Sequence, residues 1–80
     1  MKLPRDLSGA SLAKALSALG YQVARQKGSH LTLTTQQNGE HHITIPLHDP
    51  LKAGTLNGIL KDIADHHNLD RRTLLDQLFS

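Results

Sequence analysis

The hydrophobic pattern changes its period near Tyr21, and this change most constrains the fold. Before Tyr21, Leu12, Leu16 and Leu19 recur at the spacing of one helix face. From Tyr21 onward, apolar residues alternate with polar ones, as in strands that bury only one face. The alternating apolar pairs are Tyr21 and Val23, Leu31 and Leu33, and Ile43 and Ile45. We predict a helix followed by a three-stranded antiparallel meander.

The predicted first helix has a signal at each end. Ser8 precedes the apolar stripe, where its hydroxyl can accept a hydrogen bond from a free amide of the first turn. Gly20 follows Leu19 and can adopt the left-handed conformation that ends a helix. These boundaries predict a helix of about a dozen residues.

Alternation also predicts the polar face of the sheet and the register of its second hairpin. The polar face should carry Gln22, Ala24 and Gln26 from the first strand, His30, Thr32 and Thr34 from the second, and His42 and Thr44 from the third. If the leucines and isoleucines share a face, Gln36 pairs with Glu40 and Gly39 takes the positive φ of a three-residue loop. Thr34 then faces His42, and His30 faces Pro46.

Two further helices are predicted after the sheet. Pro46 should end the third strand, because it has no backbone amide to donate, and residues 47–52 form a connector. A second helix follows with an apolar stripe, Gly54 and Thr55 near its start and Asn68 as its terminator. Asp70 should cap a short third helix. The predicted fold class is α+β, a two-layer α-β-β-β-α arrangement with a short C-terminal helix.

Length and composition favour one domain and exclude several chemistries. Eighty residues with 38% hydrophobic content suit a single domain over residues 1–80. The absence of cysteine excludes disulfides and thiolate zinc sites, and no apolar run approaches the length of a membrane span. We therefore expect a cytoplasmic protein without membrane attachment.

The formal charge of +2 is weak, but positive charge is concentrated in the first half of the chain. Residues 1–40 contain Lys2, Arg5, Lys14, Arg25 and Lys27 against Asp6 and Glu40. Within this half, residues 25–30 place Arg25, Lys27, Gly28, Ser29 and His30 at the junction of two strands. Cations attract phosphate and glycine permits close approach of a ligand, although an ordinary basic hairpin turn would have the same composition.

His30 is the candidate catalytic residue of this cluster. Histidine moves protons near neutral pH, since its ordinary pKa is ~6.5. Abstraction of a proton from a ribose 2′-hydroxyl would let that oxygen attack the adjacent phosphorus without a metal ion. Alternation places His30 on the polar face, where it could equally be a solvated strand histidine.

Three residues beyond the sheet are secondary candidates. His48 follows Pro46, the partner of His30, and is the candidate second acid or base, unless it only occupies the connector. Lys52 and Thr55 lie where the second helix begins, and free amides there can hold a phosphate or simply be capped. His41-His42 and His66-His67 are adjacent pairs whose side chains diverge, so we predict no metal site.

Four blocks of the chain, spread over nearly its whole length, resemble the HicA toxins of bacterial and archaeal toxin–antitoxin pairs. These blocks are Leu7-Ser8-Gly9 with Leu16, Leu19, Gly20 and Tyr21; residues 25–30; Ile45-Pro46-Leu47-His48; and Gly54-Thr55-Leu56 with Ile59, Leu60 and Lys61. Their order and spacing match together.

The resemblance implies a double-stranded-RNA-binding-domain-like fold and an mRNA interferase, an endoribonuclease that needs no metal or other cofactor. It implies His30 as the catalytic histidine. The cationic cluster and the start of the second helix supply the predicted RNA-binding residues, which are Arg25, Lys27, Gly28, Ser29, Lys52 and Thr55. The resemblance also implies a HicB-type antitoxin, which would hold the toxin in a hetero-oligomer. Ala10 and Ser11 depart from the charged residues that relatives often carry there, which reduces the charge available to RNA.

Two other functions fit the same residues. Folds of this class include RNA-binding domains that cut nothing, and the polar face could instead bind a protein. Dependence on salt separates a phosphate-binding surface from an apolar protein interface, and cleavage separates an enzyme from a binder.

Overall fold

The computed structural model describes residues 6–79 and confirms the predicted α+β fold. In chain order the elements are α1 (Gly9–Ala15), which continues as a 3₁₀ helix (Leu16–Leu19), β1 (Gln22–Lys27), β2 (His30–Thr35), β3 (His41–Pro46), α2 (Ala53–His67) and α3 (Arg71–Phe79). The strands form one antiparallel sheet in the order β1-β2-β3. Lys2 and Arg5, part of the predicted basic half, lie outside the described residues.

Both predicted boundaries of the first helix are confirmed. The Ser8 hydroxyl accepts a hydrogen bond from the Ser11 amide at 3.0 Å. Gly20 has the left-handed φ of 79°, and its amide donates to the Ser17 carbonyl at 3.0 Å. The last turn is a tighter 3₁₀ helix rather than α-helix, which is a common way for a helix to end.

The core lies between the helices and one face of the sheet, as the apolar spacing predicted. Each helix and the strands β2 and β3 contribute side chains with little or no exposure; the least exposed are Leu12, Leu16, Leu33, Ile45, Leu60, Ile63 and Leu74. The C-terminal helix belongs to this core. Its predicted cap is confirmed, because the Asp70 carboxylate accepts from the Thr73 amide at 2.7 Å. None of the helices among residues 6–79 is long and apolar enough to cross a membrane.

The register of the second hairpin is confirmed except at its end. Thr34 faces His42 and His30 faces Pro46. The ladder stops one pair earlier than predicted, at Thr35 and His41, so residues 36–40 form the connection and Gln36 does not pair with Glu40 through the backbone. Gly39 has the expected positive φ, 95°.

A β-bulge in β1 was not predicted, and it reverses the faces of that strand. Val23 is opposite Leu33, but the next paired residue is Arg25, so Ala24 is an extra residue without a direct partner. Beyond the bulge, Gln26 is opposite Leu31 and therefore shares its face. The prediction that Gln26 lies on the polar face is wrong, because strict alternation from Tyr21 does not allow for an inserted residue.

The prediction of Val23 as a core residue is also wrong. Val23 faces the same side as Leu33, yet it is 58% exposed. β1 is an edge strand, whereas α1 and α2 pack against β3 at the other edge of the sheet. The helical layer therefore leaves the side chains of β1 exposed along the whole strand.

Candidate functional site

A two-residue turn, Gly28-Ser29, joins β1 to β2 and sets the geometry of the candidate site. Lys27 pairs with His30 on either side of it. Gly28 has a φ of 58°, and a positive φ at the first central residue alone is the pattern of a type II′ hairpin turn. A Cβ atom built on Gly28 meets no described atom within 4 Å. The turn is therefore open to a ligand.

The bulge at Ala24 places the two cations of β1 on the same face as His30. Arg25 is opposite Thr32 and Lys27 is opposite His30, so these four side chains share one side of the sheet. Directly opposite residues in an antiparallel pair have Cβ atoms about 5 Å apart. Without the bulge, a strand that buries Tyr21 would also direct Arg25 and Lys27 toward the core. The presence of two cations at core-facing positions is the sequence signal that could have revealed the bulge.

A surface cavity of about 590 Å³ lies over this part of the hairpin. Its lining consists of Arg25, Lys27, Gly28, Ser29, His30 and Thr32. His30 is exposed, as a group that exchanges protons with a ligand must be. Since the described lining includes two cations and no carboxylate, the cavity is suited to an anion.

His48, Lys52 and Thr55 are exposed but do not line this cavity. The connector that carries His48 is nevertheless fixed beside the turn, because the Leu47 amide donates to the Ser29 carbonyl at 2.6 Å. The His48 carbonyl accepts from the Gly9 amide at 2.9 Å. The predicted site therefore divides into a cationic hairpin around His30 and a separate group near the start of α2.

α2 begins at the position that the sequence predicts. The helix begins at Ala53, after Lys52, whose backbone is extended. Within the described chain, no side chain caps this end of the helix. Thr55 is exposed in the first turn. The backbone amides of the first turn of α2 are thus open to solvent, as a phosphate contact would require.

His41, His66 and His67 form a structural cluster with Tyr21 at the other end of the sheet. From the sequence, these histidines were candidates only for a metal site. The Tyr21 hydroxyl is 2.7 Å from Nδ1 of His41 and 3.0 Å from Nε2 of His67. His41 also approaches the Asp62 carboxylate at 3.3 Å and stacks on His66, with ring centroids 4.3 Å apart. Among residues 6–79, no group of three or more His, Asp or Glu side chains is arranged to hold a metal ion.

The donors and acceptors of this cluster follow from Asp62. The carboxylate can only accept, so His41 Nε2 donates to it and the neutral ring offers Nδ1 to the Tyr21 proton. His67 then donates to the tyrosine oxygen. Burial, together with the Asp62 charge, raises the pKa of Tyr21 to about 12. Burial, followed by the positive charges that His66 and His41 carry when they are protonated, lowers the pKa of His67.

The fold and the site together define a class: a small α+β protein with the double-stranded-RNA-binding-domain-like arrangement and an exposed histidine among cations. A family model described as the HicA toxin of bacterial toxin–antitoxin systems matches residues 9–64. The chain therefore belongs to the HicA toxin family. No curated protein and no solved structure gives a significant match to it.

Proposed function

We propose that this HicA-family toxin is a metal-independent endoribonuclease that cleaves messenger RNA, with His30 as its catalytic residue. The observation that carries the proposal is the exposed imidazole of His30 in a cavity shared with Lys27 and Arg25. RNA supplies both groups that such a cavity requires, a phosphate for the cations and a hydroxyl for the imidazole.

The reaction is an internal phosphoryl transfer. His30 takes the proton of a ribose 2′-hydroxyl, and the 2′-oxygen forms a bond to the adjacent phosphorus as the bond to the 5′-oxygen breaks. The 5′-oxygen leaves with a proton from a general acid. The products are a 2′,3′-cyclic phosphate and a 5′-hydroxyl, so no water is consumed in this step. Lys27 and Arg25 stabilise the negative charge that develops on the phosphoryl oxygens.

His48 is the proposed second proton-transfer group. The hydrogen bond from Leu47 to Ser29 holds the connector next to the turn that carries His30. His48 is exposed, and it lies outside the lining of the cavity in the free protein. A bound RNA chain that extends from the hairpin toward α2 would bring a leaving oxygen between the two histidines.

The proposed RNA contacts form two groups. Arg25 and Lys27 bind the scissile phosphate, while Gly28 and Ser29 allow the strand to approach the backbone of the turn. Lys52 and Thr55 hold a neighbouring phosphate at the open start of α2. Most of the affinity in such a surface is electrostatic, so binding should weaken steeply as the salt concentration rises.

The family belongs to toxin–antitoxin systems, which supports an antitoxin partner for this chain. We propose that the partner is a HicB-type antitoxin that neutralises the toxin in a cytoplasmic hetero-oligomer. We also propose that residues 1–80 form a single toxin domain, because the apolar residues of α3 belong to the same core as those of α1 and α2.

The test compares the parent with His30→Ala on single-stranded RNA in the presence of a chelator. Thr44→Val is the control, since Thr44 is exposed on the same face and lines neither this cavity nor the second one described below. Cyclic phosphate ends should be produced by the parent and Thr44→Val but not by His30→Ala. Equal cleavage by His30→Ala would contradict the proposed role, and cleavage only after a metal is added would contradict metal independence.

A noncatalytic RNA-binding module is the alternative that the same experiment can reveal. If none of the variants cleaves, RNA titrations over a range of salt concentrations decide whether the surface binds phosphates. Arg25→Ala should lower the slope of log affinity against log salt by about 1, whereas Arg72→Ala, an exposed cation on α3, should leave it unchanged. A surface that contacts only protein would show no such slope.

A further inference from the structure

A second cavity, of about 530 Å³, lies at the opposite end of β1 and β2 from His30. Its lining includes Gln22, Val23, Thr34 and Gln36. Gln22 and Thr34 are directly opposite one another. Thr34 alternates with Thr32 and His30 along β2, so Thr34 and its partner Gln22 lie on the same face of the sheet as the first cavity. Val23 and Thr35, which also line the second cavity, point to the other face.

The two cavities differ in charge. The described lining of the second cavity contains amide and hydroxyl groups but no cation or carboxylate. Glu40 is nearby, since its carboxylate lies 3.3 Å from His42 and 3.4 Å from Gln36. Hydrogen bonds from Gln36 and His42, with the charge of His42, lower the pKa of Glu40, so a carboxylate faces this end of the sheet at neutral pH. The first cavity has cations that attract phosphate, whereas the described lining of the second has none.

An uncharged ligand with polar edges, such as a nucleobase, fits the second cavity. Amides and hydroxyls can pair with the donors and acceptors on the edge of a nucleobase. Thr34 is four residues along β2 from His30, or roughly 13 Å at ~3.3 Å per residue. A strand whose phosphate lies beside His30 can therefore place the base of a nearby nucleotide against Thr34.

We propose that this second cavity is a nucleobase subsite that selects the RNA sequence near the cleaved bond, with Thr34 and Gln22 as specificity-determining residues. The proposal rests on the function proposed above, since it assigns a further part of the same RNA strand. The proposed ligand at this end of the polar face is RNA.

The orientation of the Thr34 hydroxyl narrows the base that it can select. In the neutral form of the His42 ring, Nε2 donates to the Glu40 carboxylate and Nδ1 is an acceptor. The Thr34 hydroxyl, 2.7 Å from that Nδ1, therefore donates to it and presents only lone pairs to a ligand. An acceptor that faces C4 of a pyrimidine favours the amino group of cytosine over the carbonyl oxygen of uracil. His42 and Glu40 act as positioning residues.

The test sequences the ends of products that each variant generates from an RNA pool of random sequence. The parent should prefer cytosine over uracil at one position close to the cut. Thr34→Val retains the shape of the side chain without its hydroxyl, and it should reduce that preference roughly twofold to tenfold, as expected for the loss of one hydrogen bond. Thr44→Val is the matched control on the same face and should leave the preference unchanged.

Glu40→Ala tests the positioning role. It leaves Thr34 in place but frees the orientation of His42, so it should relax the preference at the same position by about twofold. A merely structural effect would lower cleavage at all sequences equally.

The possible failures are distinguishable. If the parent cleaves and both Thr34→Val and Gln22→Ala retain its sequence preference, the subsite is wrong and the endoribonuclease proposal stands. If those variants instead lose affinity for the antitoxin without any change in preference, the cavity is a protein-binding surface and the proposal is likewise overturned. If the parent cleaves no RNA, the proposed function is wrong, and so is the proposed subsite.

Discussion

Replacement of Gly9 by alanine should destabilise the fold by about 2 kcal/mol, although alanine normally favours helices. Gly9 is the first residue of α1, and it lies against the end of β3. A Cβ atom built on it would be 3.0 Å from the carbonyl carbon of Pro46, 3.2 Å from Cα of Leu47, and closer still to the Pro46 oxygen. These neighbours are backbone atoms, which cannot rotate away as a side chain can.

The magnitude follows from three contributions. Overpacking of this kind typically costs about 1–3 kcal/mol. Movement of α1 away from β3 also stretches the 2.9 Å hydrogen bond from the Gly9 amide to the His48 carbonyl, which contributes about 1 kcal/mol. The lower entropy of alanine in the unfolded chain offsets about 0.4–1 kcal/mol of this loss. At about 4–8 °C per kcal/mol for a domain of this size, Tm should fall by roughly 10 °C.

Gly58→Ala is the matched control, since it makes the same chemical change within α2. A Cβ atom at Gly58 meets no described atom within 4 Å, so this variant should gain about 0.5–1 kcal/mol. Urea denaturation of both variants and the parent, followed by circular dichroism, measures the two free energies of unfolding. A Gly9→Ala protein as stable as the parent, alongside a stabilised Gly58→Ala protein, would refute the close packing of α1 on β3.

Three further predictions concern stability. Thr35→Val should lower the free energy of unfolding, measured by urea denaturation, by about 2 kcal/mol, because the buried hydroxyl donates to the Leu19 carbonyl at 2.8 Å and accepts from a loop amide. An unchanged free energy of unfolding would show that water replaces the hydroxyl. The pKa of His67 is lowered in the folded protein, so the unfolded chain binds more protons and the free energy of unfolding should fall as the pH drops below ~6.5. His67→Gln should weaken that dependence, and an unchanged pH profile would argue against it. Leu74→Ala should cost about 2–5 kcal/mol, since Leu74 is fully buried, and a small loss would show that α3 is not part of the toxin domain.

Periodicity was sufficient to predict the fold because most elements obey one period from end to end. The helix ends were predictable where a single residue type satisfies a local requirement, as Ser8 and Gly20 do. The register of β2 and β3 followed from the need to bury Leu33 and Ile43 on one face. In each case the determining interaction lies within a few residues or depends on burial alone.

The faces of β1 could not be predicted by the same reasoning. A bulge adds one residue and shifts the phase of alternation, so Gln26 and Lys27 exchange the sides that Tyr21 alone would assign to them. The exposure of Val23 depends on where the helices pack, which is a tertiary property. Sequence also did not show that Tyr21 joins His41 to His67, because these contacts span distant parts of the chain.

The candidate site was predicted most completely where its residues are consecutive. Arg25 and residues 27–30 lie in one hairpin and therefore converge on one cavity. The connector holds His48 beside the turn, whereas Lys52 and Thr55 lie at the start of α2, and all three residues are outside the lining. The second cavity had no signal, because glutamine and threonine on an exposed strand are common in any sheet.

The extra residue at position 24 gives β1 an unequal tolerance to changes in length. Loss of Ala24 would turn the bulge into a regular ladder while Tyr21 still points inward and Arg25 still points outward. Loss of Gln26, only two positions further on, would turn one half of the strand over relative to the Gly28-Ser29 turn. Insertions and deletions in this strand should therefore concentrate at the bulge. Related chains whose first strands differ in length are best aligned by the β2 residue that each β1 residue faces, rather than by sequence position.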